Sequence, residues 1–281
     1  MKKILHISHK SPDIDAIASL VWGKYVFGGD IFIPDKKLLY STQKVLKEFE
    51  IEYISELNKN YDYTFVYDVS LGEDVPLRSE KYVIFDHHSK IDTNFFKNAI
   101  RVFHKANSAN VINLYELSKK WKIKLPKNLK FLFAIAIYSD TGMLKTARKE
   151  QLLYISKLME NHTVEDLMEY ACPHRFQEDF LKKISKFNLK DGVLYGTVKS
   201  GDEFYGIVDS IFKVMDAKVL CCAMEDKNIM KFSCDKKNYQ WLIQRILKPF
   251  SKKFNVKYAH TNLYGFTDFN KIIDFIKENE V

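Results

Sequence analysis

The sequence predicts an α/β protein, a parallel sheet with helices on both faces followed by a smaller α+β domain. Three observations predict it. Short β-rich apolar runs alternate with helical periods through roughly the first ninety residues, the pattern of a parallel sheet buried on both faces. Helical periods then dominate 108–187. From Asn188 onward, alternating apolar residues are broken by glycine-containing turns, as in an antiparallel sheet. The two domains are placed at 1–185 and 186–281, with the active site expected in the cleft between them.

The elements follow in order. Residues 3–8 (KILHIS) form a first strand, and His6 within it reads as structural. Pro12 and Asp13 start a helix in which Ile14, Ile17, Ala18, Val21 and Trp22 recur at helical spacing. A second strand is expected at 31–33 and a helix at 42–49. Strands at 63–69 and 81–85 are runs of β-branched and aromatic residues that end at polar clusters. Helices are expected at 108–121, 127–138, 149–160 and 164–187. In the second domain VLCCAME and IMKFSCD read as a hairpin turning at Asp226–Asn228, before a helix at 239–254, one more strand and a terminal helix.

The 281 residues are 46% apolar, enough for a sizeable core, and the wealth of Phe and Tyr excludes a disordered chain. A net charge of +8 suits a phosphate-bearing partner without demanding one. Cys172, Cys221, Cys222 and Cys234 form no C-x-x-C pair and read as reduced, buried thiols. The apolar run at the N-terminus is too short for a signal peptide, and none reaches the ~20 residues of a membrane helix. A cytoplasmic protein without membrane contact is expected. No basic recognition helix stands out, so duplex DNA is not an expected partner. A monomer and a homodimer both remain open.

Four polar clusters share one placement, at or just beyond the end of an apolar segment. They are His9-x-x-x-Asp13-x-Asp15, Asp68, Asp86-His87-His88, and Asp140. In open α/β sheets, ligands bind beyond the carboxyl ends of the strands. Carboxylates and imidazoles together suit divalent ions of the Mn, Mg or Fe type, and a two-metal centre needs about six such groups. No cysteine joins the set, which argues against a structural zinc site. Singly, each residue has a plainer reading: Asp13 a helix cap, Asp68 and Asp140 turn residues, His87 and His88 surface histidines. Four clusters at four segment ends within one domain favour the metal reading.

HISHKSPDIDAIAS resembles the first motif of the DHH phosphoesterase superfamily, and Asp86-His87-His88 resembles the motif that names it. Val66-Tyr67-Asp68 and Ser139-Asp140-Thr141-Gly142 are similar to its second and fourth motifs, in the same order. The resemblance covers residues 3–142 and implies hydrolysis of phosphate esters through a water activated by two ions, manganese first, with magnesium or cobalt as substitutes. It implies that His9, Asp13 and Asp140 hold one ion, that Asp15 and His87 hold the second, and that Asp68 bridges them. His88 would face the substrate, and Asp86 would orient the histidines.

The nanoRNase and pAp-phosphatase branch ends in a glycine-rich loop, which the stretch 255–266 resembles, with His260, Gly265 and Phe266 in register. Lys257-Tyr258-Ala259 replaces its glycine triplet, whose role is close backbone approach to phosphate. Expected substrate contacts are Ser108, at the start of a helix, and Arg245, Lys236, Lys257, His260 and Gly265. Ser108 is first of all a natural helix cap. The expected substrate is a short oligonucleotide or 3′-phosphoadenosine 5′-phosphate. Inorganic pyrophosphate is one alternative, because the ligands begin so close to the first residue. A cyclic dinucleotide and a non-catalytic nucleotide-binding role are the others.

Overall fold

A computed structural model describes residues 2–34, 38–75, 79–171, 182, 184–199, 204, 207–208, 212, 217–224 and 228–279. The chain divides into two compact units, residues 1–173 and 174–281. The boundary expected at 185/186 lies further along, past 172–181 and 183, which fall outside the described residues.

The first unit is built on five strands: β1 (Ile4–Ile7), β2 (Asp30–Ile31), β3 (Tyr63–Tyr67), β4 (Tyr82–Asp86) and β5 (Arg101–His104). Their order is β2-β1-β3-β4-β5, and every pairing is parallel. β4 is buried at every position, as a central parallel strand covered on both faces must be. β2 is shorter than the expected 31–33, because Phe32 and Ile33 turn to pair with Ile54. β5 was not anticipated from the sequence. It is an edge strand whose Arg101, Val102 and His104 are exposed, so it lacks the apolar run of its neighbours.

Seven helices of this unit are described: α1 (Ile14–Phe27), α2 (Tyr40–Glu48), α3 (Thr93–Asn98), α4 (Asn110–Lys120), α5 (Lys127–Asp140), α6 (Lys149–Leu158) and α7 (Val164–Ala171). The helix expected over 164–187 is described only to Ala171 and then leaves the described residues. Asp13 caps α1 by accepting from the Ala16 amide at 3.0 Å, and Gly28 closes it at φ 66°. α1 and α5 are apolar on almost every side, since both pack inside the core with α4. On the opposite sheet face, Leu5, Ile7, Val66 and Ile84 lie with Phe95 and Phe96 of α3.

One aromatic row crosses the sheet. Tyr67, Phe85 and Phe103 are register partners on β3, β4 and β5. Their rings stack at 5.0 and 4.8 Å, each pair within 8° of parallel. The residue after each ring is Asp68, Asp86 or His104. Trp22 meets the Phe85 ring edge-on at 5.5 Å and donates its indole N–H to Ser118 Oγ at 2.8 Å.

The second unit holds six strands: β6 (Asn188–Lys190), β7 (Val193–Val198), β8 (Val219–Met224), β9 (Ile229–Cys234), β10 (Lys257–Ala259) and β11 (Asn262–Tyr264), in the order β10-β11-β9-β8-β7-β6. The expectation of a purely antiparallel sheet is corrected here. β7 and β8 pair parallel, and the 199–218 stretch between them has the length a parallel connection requires. The β8–β9 hairpin forms as expected, its turn at 225–227 lying outside the described residues. A continuous helix, α8, runs through Tyr239–Trp241, Leu242–Leu247 and Lys248–Phe254, its middle piece wound as a π-helix. Two strands, not one, then precede α9 (Phe269–Glu278).

Cys221 and Cys222 are buried and Cys234 is half-buried, all with free thiols, while Cys172 lies outside the described residues. Among the described residues, no helix is long and apolar enough to cross a membrane.

Candidate metal centre

The parallel sheet delivers its polar residues to one edge. His9 follows β1 by two positions, Asp68 follows β3 directly, and Asp86 ends β4 just before His87 and His88. Asp13 and Asp15 open α1, and Asp140 is the last residue of α5. Among the described residues, three groups place donor atoms within 4.8 Å of one another: His9 with Asp13 and Asp68, Asp15 with His87 and Asp140, and Asp68 with His87 and His88. All but Asp15 border a cavity of about 450 Å³, which Ser70, Asp74 and Ser108 also line. A slightly larger cavity of about 490 Å³ lies between β5 and α4, but none of the three groups is in it. Size alone does not locate the chemistry.

The grouping sets Asp140 with Asp15 and His87, where the resemblance implied His9 and Asp13 as its companions. Asp13 is the extended cap residue ahead of α1, whereas Asp15 is inside its first turn, so the two carboxylates face different partners.

Asp15 is fully buried and holds the start of α4. Its Oδ2 accepts from the Asn110 amide at 2.5 Å, and its Oδ1 from the Val111 amide at 3.0 Å. Capping by Ser108 is thereby corrected. Ala109 occupies the cap position, a carboxylate from α1 does the capping, and Ser108 Oγ is buried without a hydrogen-bond partner among the described residues.

The histidines are held from behind. His87 Nδ1 lies 3.0 Å from the Asn107 carbonyl, which can only accept, so Nδ1 carries the proton and Nε2 is turned to the carboxylates. His87 Nε2 is 3.0 Å from Asp68 Oδ1 and 3.8 Å from Asp15 Oδ2. His88 Nδ1 and its backbone amide both bond the buried Asp86 carboxylate, at 2.8 and 3.0 Å. His104 Nε2 lies 2.7 Å from the His88 carbonyl. The sequence reading missed His104, Asn107, Ser70 and Asp74. Position was the available signal for His104, which ends its strand as Asp86 does.

The electrostatics describe a site short of positive charge. Burial and then the charge of Asp68 push Asp15 up to about 7. The same two causes raise Asp13. Burial, followed by the charges of Asp15, Asp13 and Asp68, raises Asp140 well above the carboxylate range. Burial opposes a charged His87, but Asp68 and Asp15 outweigh it and raise the ring to about 9. Asp86 runs the other way: its burial is outweighed by the bonds to His88, which lower it.

These residues fit divalent ions. Asp68 Oδ1 is buried and, within hydrogen-bonding distance, is met among the described residues only by the His87 ring, 3.0 Å away, which leaves it capacity for an ion. Asp68 also holds a left-handed backbone at φ 55°, a conformation that costs about 1 kcal/mol or more and is retained where surroundings impose it. Oxygen and imidazole donors without sulfur suit Mn-type ions over structural zinc.

The other expected substrate contacts are in the second unit. Arg245 is on the π-wound part of α8, Lys257 is exposed on β10, and His260 stands in the β10–β11 turn at φ 53°. Gly265 follows β11 at φ 75°, and the side chain of Lys236 lies outside the described residues. Tyr258 and Phe266 pack against that unit's core, Phe266 edge-on to Phe250 at 4.9 Å.

Fold and cluster together define a two-unit α/β protein with an acidic and histidine centre at the carboxyl edge of its parallel sheet. The whole chain is similar to a Methanococcus jannaschii crystal structure, provisionally described as that of a family II inorganic pyrophosphatase. The TM-score is 0.52 over 96% of each chain, at 18% identity, a likeness that establishes a shared fold. No family profile matches the sequence, and no curated protein does.

Proposed function

We propose that the protein is a divalent-metal-dependent phosphohydrolase of the DHH type. One observation carries the reading: the three donor groups overlap, with Asp68 common to two of them and His87 common to two. His9, Asp13 and Asp68 would hold one ion, Asp15, His87 and Asp140 the other, with Asp68 shared. Two bound ions would draw in phosphate oxygens and make a water between them acidic enough to attack phosphorus. The chain's own residues do the positioning. Asp86 fixes the His88 ring through Nδ1, so that Nε2 is the atom left to meet a phosphate oxygen. Ser108 Oγ, unpartnered at the cavity wall, is a second donor for the same charge.

Inorganic pyrophosphate is the first substrate reading. It is the substrate named in the description of the M. jannaschii protein, and the likeness spans both chains almost completely. Short oligonucleotides and 3′-phosphoadenosine 5′-phosphate come second. They are favoured by His260 and Gly265, which keep positive φ about the β10–β11 hairpin even without the glycine triplet. The test is turnover with manganese on pyrophosphate, 3′-phosphoadenosine 5′-phosphate and a dinucleotide, for the native protein and Asp68→Ala. Hydrolysis of pyrophosphate that Asp68→Ala abolishes is expected. Turnover of none of the three would end the phosphohydrolase reading, and turnover of pyrophosphate alone would end the nucleotide one.

A further inference from the structure

Helix α4 touches the centre at two separate points. Its backbone start grips Asp15 through the Asn110 and Val111 amides. One turn further on, the side chain of Asn113 ties down the loop that holds His87. Asn113 Nδ2 donates to the Lys105 carbonyl at 2.6 Å and to the Asp86 carbonyl at 3.3 Å. Asn113 Oδ1 accepts from Asn107 Nδ2 at 3.3 Å. Asn107 in turn receives His87 Nδ1 on its carbonyl at 3.0 Å and returns its own amide to the His87 carbonyl at 3.1 Å. The Asn107 side chain is fixed from its other end as well, accepting from the Ser108 amide at 2.9 Å.

Asp15 and His87 belong to the same donor group, the one completed by Asp140. The bonds that hold both of them converge on one rigid helix. Among the described residues His9 and Asp13 have no such connection: Asp13 is tied to α1 through Ala16, and His9 stands on the loop after β1. We propose that Asn113 is a positioning residue that sets the separation and tilt of Asp15 and His87, and so selectively determines the affinity of the Asp15–His87–Asp140 ion. This rests on the two-ion reading above. A metal ligand's orientation is fixed by the bond on its far side. Here that bond is made by a backbone carbonyl whose own position depends on Asn113.

The test is manganese titration by calorimetry, without substrate, on native protein, Asn113→Ala, Asn107→Ala and Ser118→Ala. Native protein should show two binding events. In Asn113→Ala one event should weaken about 10–100-fold, the usual effect of removing a residue behind a metal ligand, while the other stays within about twofold. Asn107→Ala should weaken the same event by less, since it keeps the carbonyl that meets His87. Ser118→Ala breaks the Trp22 bond elsewhere on α4, so it should lower stability and leave both affinities unchanged. If Asn113→Ala fails to fold, Asn107→Ala decides. Both events unchanged, or both weakened equally, in a folded variant would overturn the proposal while leaving the two-ion centre standing. Native protein that binds no manganese would overturn both.

Discussion

Acidification should expose the buried histidine on β1. His6 is fully buried, its Nδ1 3.0 Å from the Tyr67 hydroxyl and its Nε2 2.6 Å from the Gly28 carbonyl. Burial lowers the ring from 6.5 to about 4. The Gly28 carbonyl and Asp30 oppose the shift, and Lys24 adds slightly to it. Between those two values the unfolded chain binds a proton that the folded chain refuses, so stability falls as pH falls. A gap of about 2.5 units corresponds to about 3 kcal/mol in full, of which about 2 kcal/mol is lost between pH 7 and pH 5. The assay is urea unfolding of native protein and His6→Gln at both pH values, in chelator so that the metal centre contributes alike to each. The variant should start about 1–3 kcal/mol weaker at pH 7, for its disturbed hydrogen bonds. It should then lose about 2 kcal/mol less than native protein on acidification. Equal losses would show that His6 charges as readily in the folded chain as in the unfolded one, and would refute the reasoning.

Three further outcomes follow from neighbouring features. Gly23→Ala would set a methyl group about 2.6 Å from His6 Nδ1 and closer still to the Tyr67 hydroxyl, so unfolding should show a loss of about 1–3 kcal/mol. Asp13→Ser separates the cap from the ligand. Stability without metal should hold within about 0.5 kcal/mol, since serine caps as well, while manganese should no longer raise the melting temperature to the native extent. Ser108→Ala removes a hydroxyl with no partner, so unfolding should change by less than about 0.5 kcal/mol. KM for pyrophosphate should rise about fivefold, the equivalent of one hydrogen bond of about 1 kcal/mol.

What the sequence disclosed follows from how each residue is specified. β1, β3 and β4 are apolar runs because both faces are covered, and Asp68 and Asp86 stand out as the charges that end them. β5 carries Arg101 and His104 because its far edge meets solvent, so the same rule hides it. Asp13 and Asp15 were legible as a pair. Their division between two donor groups was not, because it depends on the angle at which α1 leaves the sheet. Asn107 and Asn113 gave no signal at all. Asn113 donates to backbone carbonyls and Asn107 meets His87 through its own backbone carbonyl, contacts that leave no pattern in residue type. Ser108 shows the converse: the local sequence spelled a cap, and a distant carboxylate took the place.

The aromatic row across β3, β4 and β5 bears on how such a chain can diverge. Tyr67, Phe85 and Phe103 each stand one position before Asp68, Asp86 and His104. One residue gained or lost inside a strand would turn its ring to the other face and carry the adjoining polar residue with it. The connections carry no such constraint, and lengthening one costs only fractions of a kcal/mol. Insertions and deletions should therefore collect in the stretches 32–62 and 70–81, while the step from ring to polar residue stays fixed. Two chains could then share this architecture at 18% identity, their spacings differing between strands and agreeing within them.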